Sequence, residues 1–188
     1  MIGKYIISTL SLVLPLSDIL DMVSHQVVNH HRRVATIAYF IGSELNLTIP
    51  ERRDLFLAGI FHDIGAFSLQ ERLNFLSFDI DDPHRHAEIG YQLLKEFSLL
   101  TPVAEIIRFH HVPWGDGDGR WFNGLKVPPA SHIIHLADRI SVLLPDQSQV
   151  LGQAPAIVRE IERYSGSRFK PELVEAFAGL LVWPLWLY

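Results

Sequence analysis

Helical spacing of apolar residues is the feature that most limits what this chain can fold into. Between Asp21 and Leu45 apolar side chains recur three or four positions apart, and no segment alternates with period two between hairpin turns. The members of that stripe include Val23, Val27, Val34, Ile37, Ile41 and Leu45. The pattern predicts an all-α fold in which about seven or more helices form one bundle.

Local signals predict where individual helices begin. Thr48 and Glu51 form a capping-box pair that begins one helix, and Thr101 as N-cap with Pro102 at the first helical position begins another. The glycines between residues 112 and 128 predict a loop. We expect the two helices to end near residues 65 and 111, and further helices over residues 5–14, 70–76, 84–97, 129–144, 155–164 and 171–181.

Composition indicates one domain without disulfides. The 188 residues are 48% hydrophobic, enough for one sizeable core, so we expect a single domain over residues 1–188. The absence of cysteine excludes disulfides, thiolate metal sites and cysteine nucleophiles. The 16 Lys and Arg against 21 Asp and Glu give a net charge of −5 without a basic stripe, which argues against a nucleic-acid polymer as partner.

The apolar segments near the two ends are too short to span a bilayer. Residues 5–14 and 180–188 both fall short of the roughly 20 residues that a spanning helix needs. We therefore expect no membrane partner and a cytoplasmic location. The same segments are compatible with a homodimer or with docking of a sensory partner protein.

Titratable residues stand on helix faces that should be buried. Burying an unpaired carboxylate costs several kcal/mol of folding free energy. Arg33 and Arg139 could offset the charges of the aspartates, whereas a divalent cation would satisfy the aspartates and the histidines together. Histidine nitrogen with carboxylate oxygen, without sulfur, is the ligand set of Fe, Mn, Co, Ni or Zn. The residues are His62 and Asp63 at one helix end, His86 on a face that continues through Leu93 and Phe97, the pair His110–His111, and Asp138.

Helix geometry leaves one choice among the histidines open. His30 and His31 are adjacent, and either could join the stripe from Val27 to Val34. The other histidines lack comparable placement, so we expect them to lie at the surface or behind the ligands. That expectation covers His25, His31, His84, His132 and His135.

The order of these residues resembles a known family. The run His30-x-x-Arg33-Val34, then His62-Asp63-Ile64-Gly65, then a late Asp138 resembles the HD superfamily of metal-dependent phosphohydrolases. The resemblance extends over residues 24–177 and selects His30 over His31. Further segments resemble the HD-GYP branch, namely His86-x-x-x-Gly90, His110-His111, Trp114 with the glycine-rich loop to Gly124-Leu125, Val127-Pro128, and Ser165-Gly166 followed by Phe169 and Pro171.

The resemblance implies a metal-dependent phosphodiesterase or phosphohydrolase. The best-known reaction of the family is hydrolysis of the bacterial second messenger cyclic di-GMP, in which two metals activate the attacking hydroxide. It further implies that His62 and Asp63 are catalytic and that two divalent transition metals are bound, with Fe or Mn favoured and Ni, Co or Zn as alternatives. One metal would be held by His30, His62, Asp63 and Asp138, and the second by His86, His110 and His111 with Asp63 as the bridge.

The chain also departs from the family pattern. Ala66 stands where the family has a lysine that reaches a substrate phosphate, and the Gly-Tyr-Pro signature is replaced by a segment that begins at Trp114. Gln26 stands where members with three metals carry a glutamate, which favours two metals. We expect substrate contacts instead from Arg120, Lys126, Trp114 and Arg139, with Arg85, Arg108, Trp121 and Phe122 as further candidates. The three aromatic residues fit an aromatic lid packed on the domain at least as well.

Three functions fit this pattern. The first is the two-metal phosphodiesterase, acting on a cyclic dinucleotide or another nucleotide phosphate. The second is a signalling or binding module that retains metal but has lost turnover, as the missing lysine at Ala66 suggests. The third is a di-iron oxygenase, because some HD proteins use a similar His and Asp set for oxygen chemistry.

Overall fold

A computed structural model describes residue 15 and residues 29–66, 84–144 and 150–180. Helices account for most of these residues, which confirms the predicted all-α bundle. They are α1 (His30–Glu44), α2 (Ile49–Phe61), α3 (His84–Leu94), α4 (Thr101–Arg108), a short 3₁₀ helix (Gly115–Arg120), α5 (Pro129–Leu143), α6 (Val150–Glu162) and α7 (Pro171–Leu180). The helices predicted over residues 5–14 and 70–76 lie outside the described residues, as does the part of the 21–45 stripe that precedes residue 29.

The predicted helix starts are confirmed at one position and wrong at another. Thr48 and Glu51 form the expected capping box, in which the Thr48 backbone N–H donates to Glu51 Oε2 at 2.8 Å. Thr101 is not an N-cap, because Leu100 holds that position and Thr101 is already helical. Pro102 therefore lies one position further into α4 than predicted.

Several predicted helix boundaries are also wrong. α3 ends at Leu94, and both Leu93 and Phe97 are exposed rather than buried. α4 ends at Arg108, so His110 and His111 follow it in a turn. α6 begins at Val150 and contains Pro155, which sequence reasoning had placed at a helix start.

The glycine-rich segment is more regular than the predicted loop. It contains the 3₁₀ helix and a small hairpin of β1 (Trp121–Phe122) and β2 (Leu125–Lys126). Trp121 pairs with Lys126 and Phe122 with Leu125 in antiparallel register. The turn residues Asn123 and Gly124 have φ of 49° and 78°, which is the conformation of a type I′ hairpin turn.

The last two helices support this segment through their connection. Backbone N–H groups of Trp114, Gly115 and Asp116 donate to the carbonyls of Arg168, Ser167 and Gly166, at 3.0, 2.7 and 2.8 Å. The connection between α6 and α7 is therefore hydrogen-bonded along the start of the glycine-rich segment.

The core forms where α1, α2 and α5 meet. Every residue from Ser131 to Ser141 in α5 is buried, so this helix has no solvent face over that length. α1 and α2 approach closely, because a Cβ added at Gly59 would lie only 2.4 Å from Ala35 Cα. Among the described residues, no helix has both the length and the apolar character needed to cross a membrane.

Candidate metal centre

All of the predicted ligands lie together in the interior. The helices supply them from five places: the start of α1, the end of α2, the first turn of α3, the turn after α4, and the middle of α5. Each is at most 7% exposed. They are His30, His62, Asp63, His86, His110, His111 and Asp138.

Three histidines and one aspartate form the first cluster. His86 Nε2 lies 3.0 Å from His111 Nε2 and 3.4 Å from His110 Nε2. Asp63 Oδ1 is 3.2 Å from His86 Nε2 and 3.8 Å from His110 Nε2. One ligand atom from each of these four residues lies within 4.8 Å of the others. These residues make up cluster A.

Two histidines and one aspartate form the second cluster. Asp138 Oδ1 is 3.3 Å from His30 Nε2 and 3.8 Å from His62 Nε2. The ligand atoms of these three residues again lie within 4.8 Å of one another. These residues make up cluster B.

The Asp63 carboxylate lies between the two clusters. Its Oδ2 is 3.2 Å from His62 Nε2 of cluster B, and its Oδ1 is 3.2 Å from His86 Nε2 of cluster A. The two oxygens thus face different groups of histidines. This is the arrangement that a bridging carboxylate needs.

Hydrogen bonds on the far side of the rings orient the histidines. His62 Nδ1 donates to the Gly59 carbonyl at 2.9 Å, and His110 Nδ1 donates to the Ile107 carbonyl at 2.6 Å. A ring that donates through Nδ1 keeps the Nε2 lone pair for a cation. His30 Nδ1 similarly lies 3.1 Å from Ser141 Oγ. The Nε2 atoms of His62 and His110 are therefore the ones that face the candidate metal centre.

Buried polar atoms at the site fit a cation better than they fit each other. His62 Nε2, Asp63 Oδ1 and Asp138 Oδ1 have no hydrogen-bond partner among the described residues, although other polar atoms lie 3.2–3.8 Å away. Burying such groups unsatisfied is costly. Ligands about 2.1 Å from one cation are themselves about 3–3.4 Å apart, which matches the nitrogen separations in cluster A. The donor set therefore fits divalent transition metals.

The electrostatics keep the carboxylates ionised. Burial opposes ionisation of Asp63, but the charge of His62 and the close ring nitrogens of His110, His62 and His86 lower its pKa well below the usual value. Burial likewise opposes ionisation of Asp138, and the neighbouring Arg139 and His30 outweigh it and hold that pKa well below its usual value. Both aspartates are thus charged acceptors at neutral pH.

The histidines divide between protonated and neutral forms. Burial lowers the pKa of His110 to about 4 and that of His111 well below its usual value, so both are neutral and able to bind metal. At His62 burial also opposes the charge, but the carboxylates of Asp63 and Asp138 raise the pKa to about 9. His62 therefore carries a proton in the metal-free protein.

The remaining histidines are less exposed than a surface role requires. His132 and His135 are buried; the His132 ring contacts Trp114, and His135 Nδ1 donates to the Val112 carbonyl at 3.2 Å. His84 is half-buried against Phe122, and His25 lies outside the described residues. His31 is the one that sequence reasoning undervalued, because it is buried and shares a group of candidate ligands with His62 and Asp63.

The predicted substrate contacts lie in different environments. Arg120 and Lys126 are exposed on the glycine-rich segment, whereas Trp114 is 9% exposed beneath Arg120 and Lys170. Arg139 was also predicted to contact substrate, but it is 2% exposed and pairs with Asp138, so burial keeps its guanidinium away from a bound substrate.

Two further predicted substrate contacts, Arg108 and Phe122, pack against residues of α3. Arg108 pairs with Glu88 at 2.8 Å and lies over the Tyr91 ring. The Phe122 ring is 4.5 Å from the ring of His84, which places this hairpin residue beside the first turn of α3, the turn that also carries His86.

Two named proteins are similar to this chain in sequence. The 3'3'-cGAMP-specific phosphodiesterase 1 of Vibrio cholerae serotype O1 is 29% identical over 169 residues, covering 86% of this chain and 39% of that protein. A cyclic di-GMP phosphodiesterase of Thermotoga maritima is 28% identical over 189 residues, covering 94% of this chain and 50% of that protein. The chain thus spans half or less of the length of these relatives.

Solved structures share the fold, and a family model matches the sequence. A cyclic GMP-AMP-specific phosphodiesterase of V. cholerae superposes with a TM-score of 0.70 at 24% identity, covering 94% of this chain and 49% of that one. The HD domain of the L. monocytogenes phosphodiesterase PgpH in complex with cyclic-di-AMP superposes with a TM-score of 0.54 at 15% identity, covering 91% and 95%. The HD domain family model matches residues 27–143, which include every residue of clusters A and B. The chain belongs to the HD domain family.

Proposed function

We propose that this chain is a metal-dependent phosphodiesterase that hydrolyses a cyclic dinucleotide at a two-metal centre. The observation that carries the proposal is the Asp63 carboxylate, which faces one buried group of histidines with each oxygen. The names of the two sequence relatives, which specify 3'3'-cGAMP and cyclic di-GMP, support a guanine-containing cyclic dinucleotide as the substrate.

The two clusters provide the ligands. Cluster B with Asp63 would hold one divalent cation, and cluster A would hold the second, with Asp63 shared between them. A mixed set of imidazoles and carboxylates without sulfur supports Fe or Mn, with Ni, Co or Zn also accommodated. When bound, such cations supply a water of lowered pKa and positive charge opposite the phosphate oxygens.

The chain itself orients and shields this chemistry. The carbonyls of Gly59 and Ile107 fix the ring orientation of His62 and His110, so those ligands do not need to reorganise. Near-complete burial of the ligands keeps the local dielectric low, which strengthens the attraction between the cations and a phosphate.

Among the described residues, the exposed side chains of the hairpin are the best candidates for binding the substrate. Trp121 is 62% exposed, and its cross-strand neighbour Lys126 is also exposed. An exposed indole can stack on a guanine base, and an adjacent ammonium can pair with a phosphate. Arg120 precedes Trp121 and adds a second exposed cation. Lys126 and Arg120 would thus supply part of the phosphate binding that the family's lysine provides at the position of Ala66.

The test is hydrolysis by the purified chain loaded with Mn or Fe. We expect it to cleave 3'3'-cGAMP or cyclic di-GMP, and Asp63→Asn to lower the rate at least about a hundredfold and to reduce the bound metal. Asp54→Asn is the matched control, because Asp54 lies on α2, which ends just before His62 and Asp63, but it pairs with Arg53 outside both clusters. Full activity of Asp63→Asn would rule out the mechanism.

A second candidate function is a metal-containing module that binds a cyclic dinucleotide without cleaving it. Ala66 favours it, because this fully buried residue cannot reach a substrate phosphate as the family's lysine does. Metal-loaded protein that binds the dinucleotide, and leaves it intact over a long incubation, would select this candidate.

A further inference from the structure

His31 lies with the metal ligands although neither the family pattern nor the comparisons assign it a role. Its side chain is 2% exposed at the start of α1. One of its ring nitrogens, one nitrogen of His62 and one oxygen of Asp63 all lie within 4.8 Å of one another. This spacing is the same criterion that clusters A and B meet.

The rings of His30, His31 and His62 form a nearly equilateral group. Their centroids are 5.6 Å apart for His30 and His31, and 5.3 Å apart for each of these with His62. In cluster A the His86 ring lies at similar distances, 5.2 and 4.8 Å, from the rings of His110 and His111. Each of the two groups of histidines thus contains three imidazole rings that lie close together.

The His31 group cannot hold a separate third metal. His62 Nδ1 is committed to the Gly59 carbonyl, so His62 has only the Nε2 lone pair to offer. One lone pair binds one cation, and the same His62 atom also serves cluster B. A metal near His31 is therefore the metal that His62 binds rather than an additional one.

We propose that His31 is a further ligand of the metal held by His62 and Asp63. The inference rests on the metal centre proposed above. Imidazole favours Zn, Co, Ni and Fe, whereas Mn and Mg favour an oxygen-rich set. An additional imidazole therefore shifts the selectivity of this position toward Zn and Co and away from Mn.

Metal affinities of a His31→Gln variant test this role. We expect the affinity for Zn to fall at least about tenfold and the affinity for Mn to fall less, so that the ratio of the two decreases. His132→Gln is the matched control, since His132 is similarly buried but belongs to no group of candidate ligands among the described residues. Affinities within about twofold of the parent protein, or an equal shift in the control, would overturn the proposal.

A second measurement uses the unmodified protein, so it tests the proposal even if the His31→Gln variant does not fold. Zinc is diamagnetic, and nitrogen NMR of the zinc-loaded protein distinguishes metal-bound from free imidazoles. We expect a coordinated His31 in addition to His30, His62, His86, His110 and His111. A free His31 in a zinc-loaded protein contradicts this inference alone, whereas failure of the parent protein to bind metal contradicts the proposed function as well.

Discussion

Arg139 donates two hydrogen bonds to Oδ2 of Asp138, whereas Oδ1 of the same carboxylate faces the candidate metal site. Its Nη2 lies 2.6 Å and its Nε 3.2 Å from Asp138 Oδ2, while Asp138 Oδ1 is 3.3 Å from His30 Nε2. Both side chains of the pair are almost completely buried. Arg139 is therefore a positioning residue, which fixes the rotamer and the negative charge of a candidate ligand.

Arg139→Met should weaken metal binding and destabilise the fold. Removing one partner leaves the Asp138 charge buried and unpaired, which costs about 3–5 kcal/mol of unfolding free energy. Loss of an orienting contact behind a ligand should also lower metal affinity about 10–100-fold. Chemical denaturation and metal titration measure the two effects. Arg163→Met removes an exposed pair with Glu160 and should cost less than about 1 kcal/mol; equal effects of both variants would contradict the positioning role.

Metal binding near neutral pH should release a proton from His62. The neighbouring carboxylates raise the pKa of His62 to about 9 against the pull of burial, so at pH 7.5 the cation must displace a proton. Apparent metal affinity should therefore rise with pH and level off near pH 9. Titration calorimetry in buffers of different ionisation enthalpy counts the proton, and binding without proton release at pH 7.5 would contradict the prediction.

The same shift has a consequence for stability without metal. A group whose folded pKa lies above its unfolded value stabilises the fold below the unfolded pKa, and that contribution is lost as pH rises through the folded pKa. For His62 the window runs from 6.5 to about 9. Denaturation of the chelator-treated protein across this range measures the loss, which saturating metal should abolish.

Gly59→Ala should push α1 and α2 apart. The added Cβ would lie 2.4 Å from Ala35 Cα and 2.5 Å from Ala35 N, and backbone cannot yield as a side chain can. We expect a loss of about 1–3 kcal/mol together with weaker metal binding, because His62 follows Gly59 by three residues. Gly179→Ala meets only Glu44 Oε2 at 4.0 Å and should be neutral or stabilising by about 0.5–1 kcal/mol. Thermal unfolding compares them, and a neutral Gly59→Ala would show that the helices can separate freely.

The two tryptophans of the glycine-rich segment should have opposite phenotypes. Trp121→Ala removes an exposed ring and should change stability by less than about 0.5 kcal/mol, while base stacking worth about 1–3 kcal/mol is lost and KM rises. Trp114→Ala removes a ring packed against His132 and beneath two cations, and should cost about 3–5 kcal/mol of stability. Steady-state kinetics and denaturation separate the two. An unchanged KM for Trp121→Ala would remove this residue from the substrate site.

The fold class and the residues that converge in the interior could be predicted from sequence because both depend on local pattern. Apolar spacing gives helix faces, and a histidine or aspartate on such a face must be buried wherever the helix packs. His86 and Asp138 were found in this way. The choice of His30 needed the family motif, since His31 fits the same stripe.

Other features depended on packing that a pattern does not encode. Sequence reasoning missed the hairpin although Asn123-Gly124 is a strong type I′ turn signal, because its strands are only two residues long. Pro155 was read as a helix start, whereas α6 begins five residues earlier and tertiary context overrides the local preference. The sequence offered Arg139 as a possible partner for an aspartate, and the structure pairs it with Asp138. The pattern did not specify that pairing, because neighbouring residues on a helix do not normally face each other.

The backbone contacts between residues 114–116 and 166–168 extend the working unit beyond the family boundary. The HD match ends at residue 143, yet the segment bearing Arg120, Trp121 and Lys126 rests on the connection between α6 and α7. A chain that ended at that boundary would keep the candidate metal ligands. It would lose the backbone hydrogen bonds that hold the segment proposed to recognise the dinucleotide. Substitutions in this connection could therefore alter recognition of the dinucleotide while the candidate metal ligands stay unchanged.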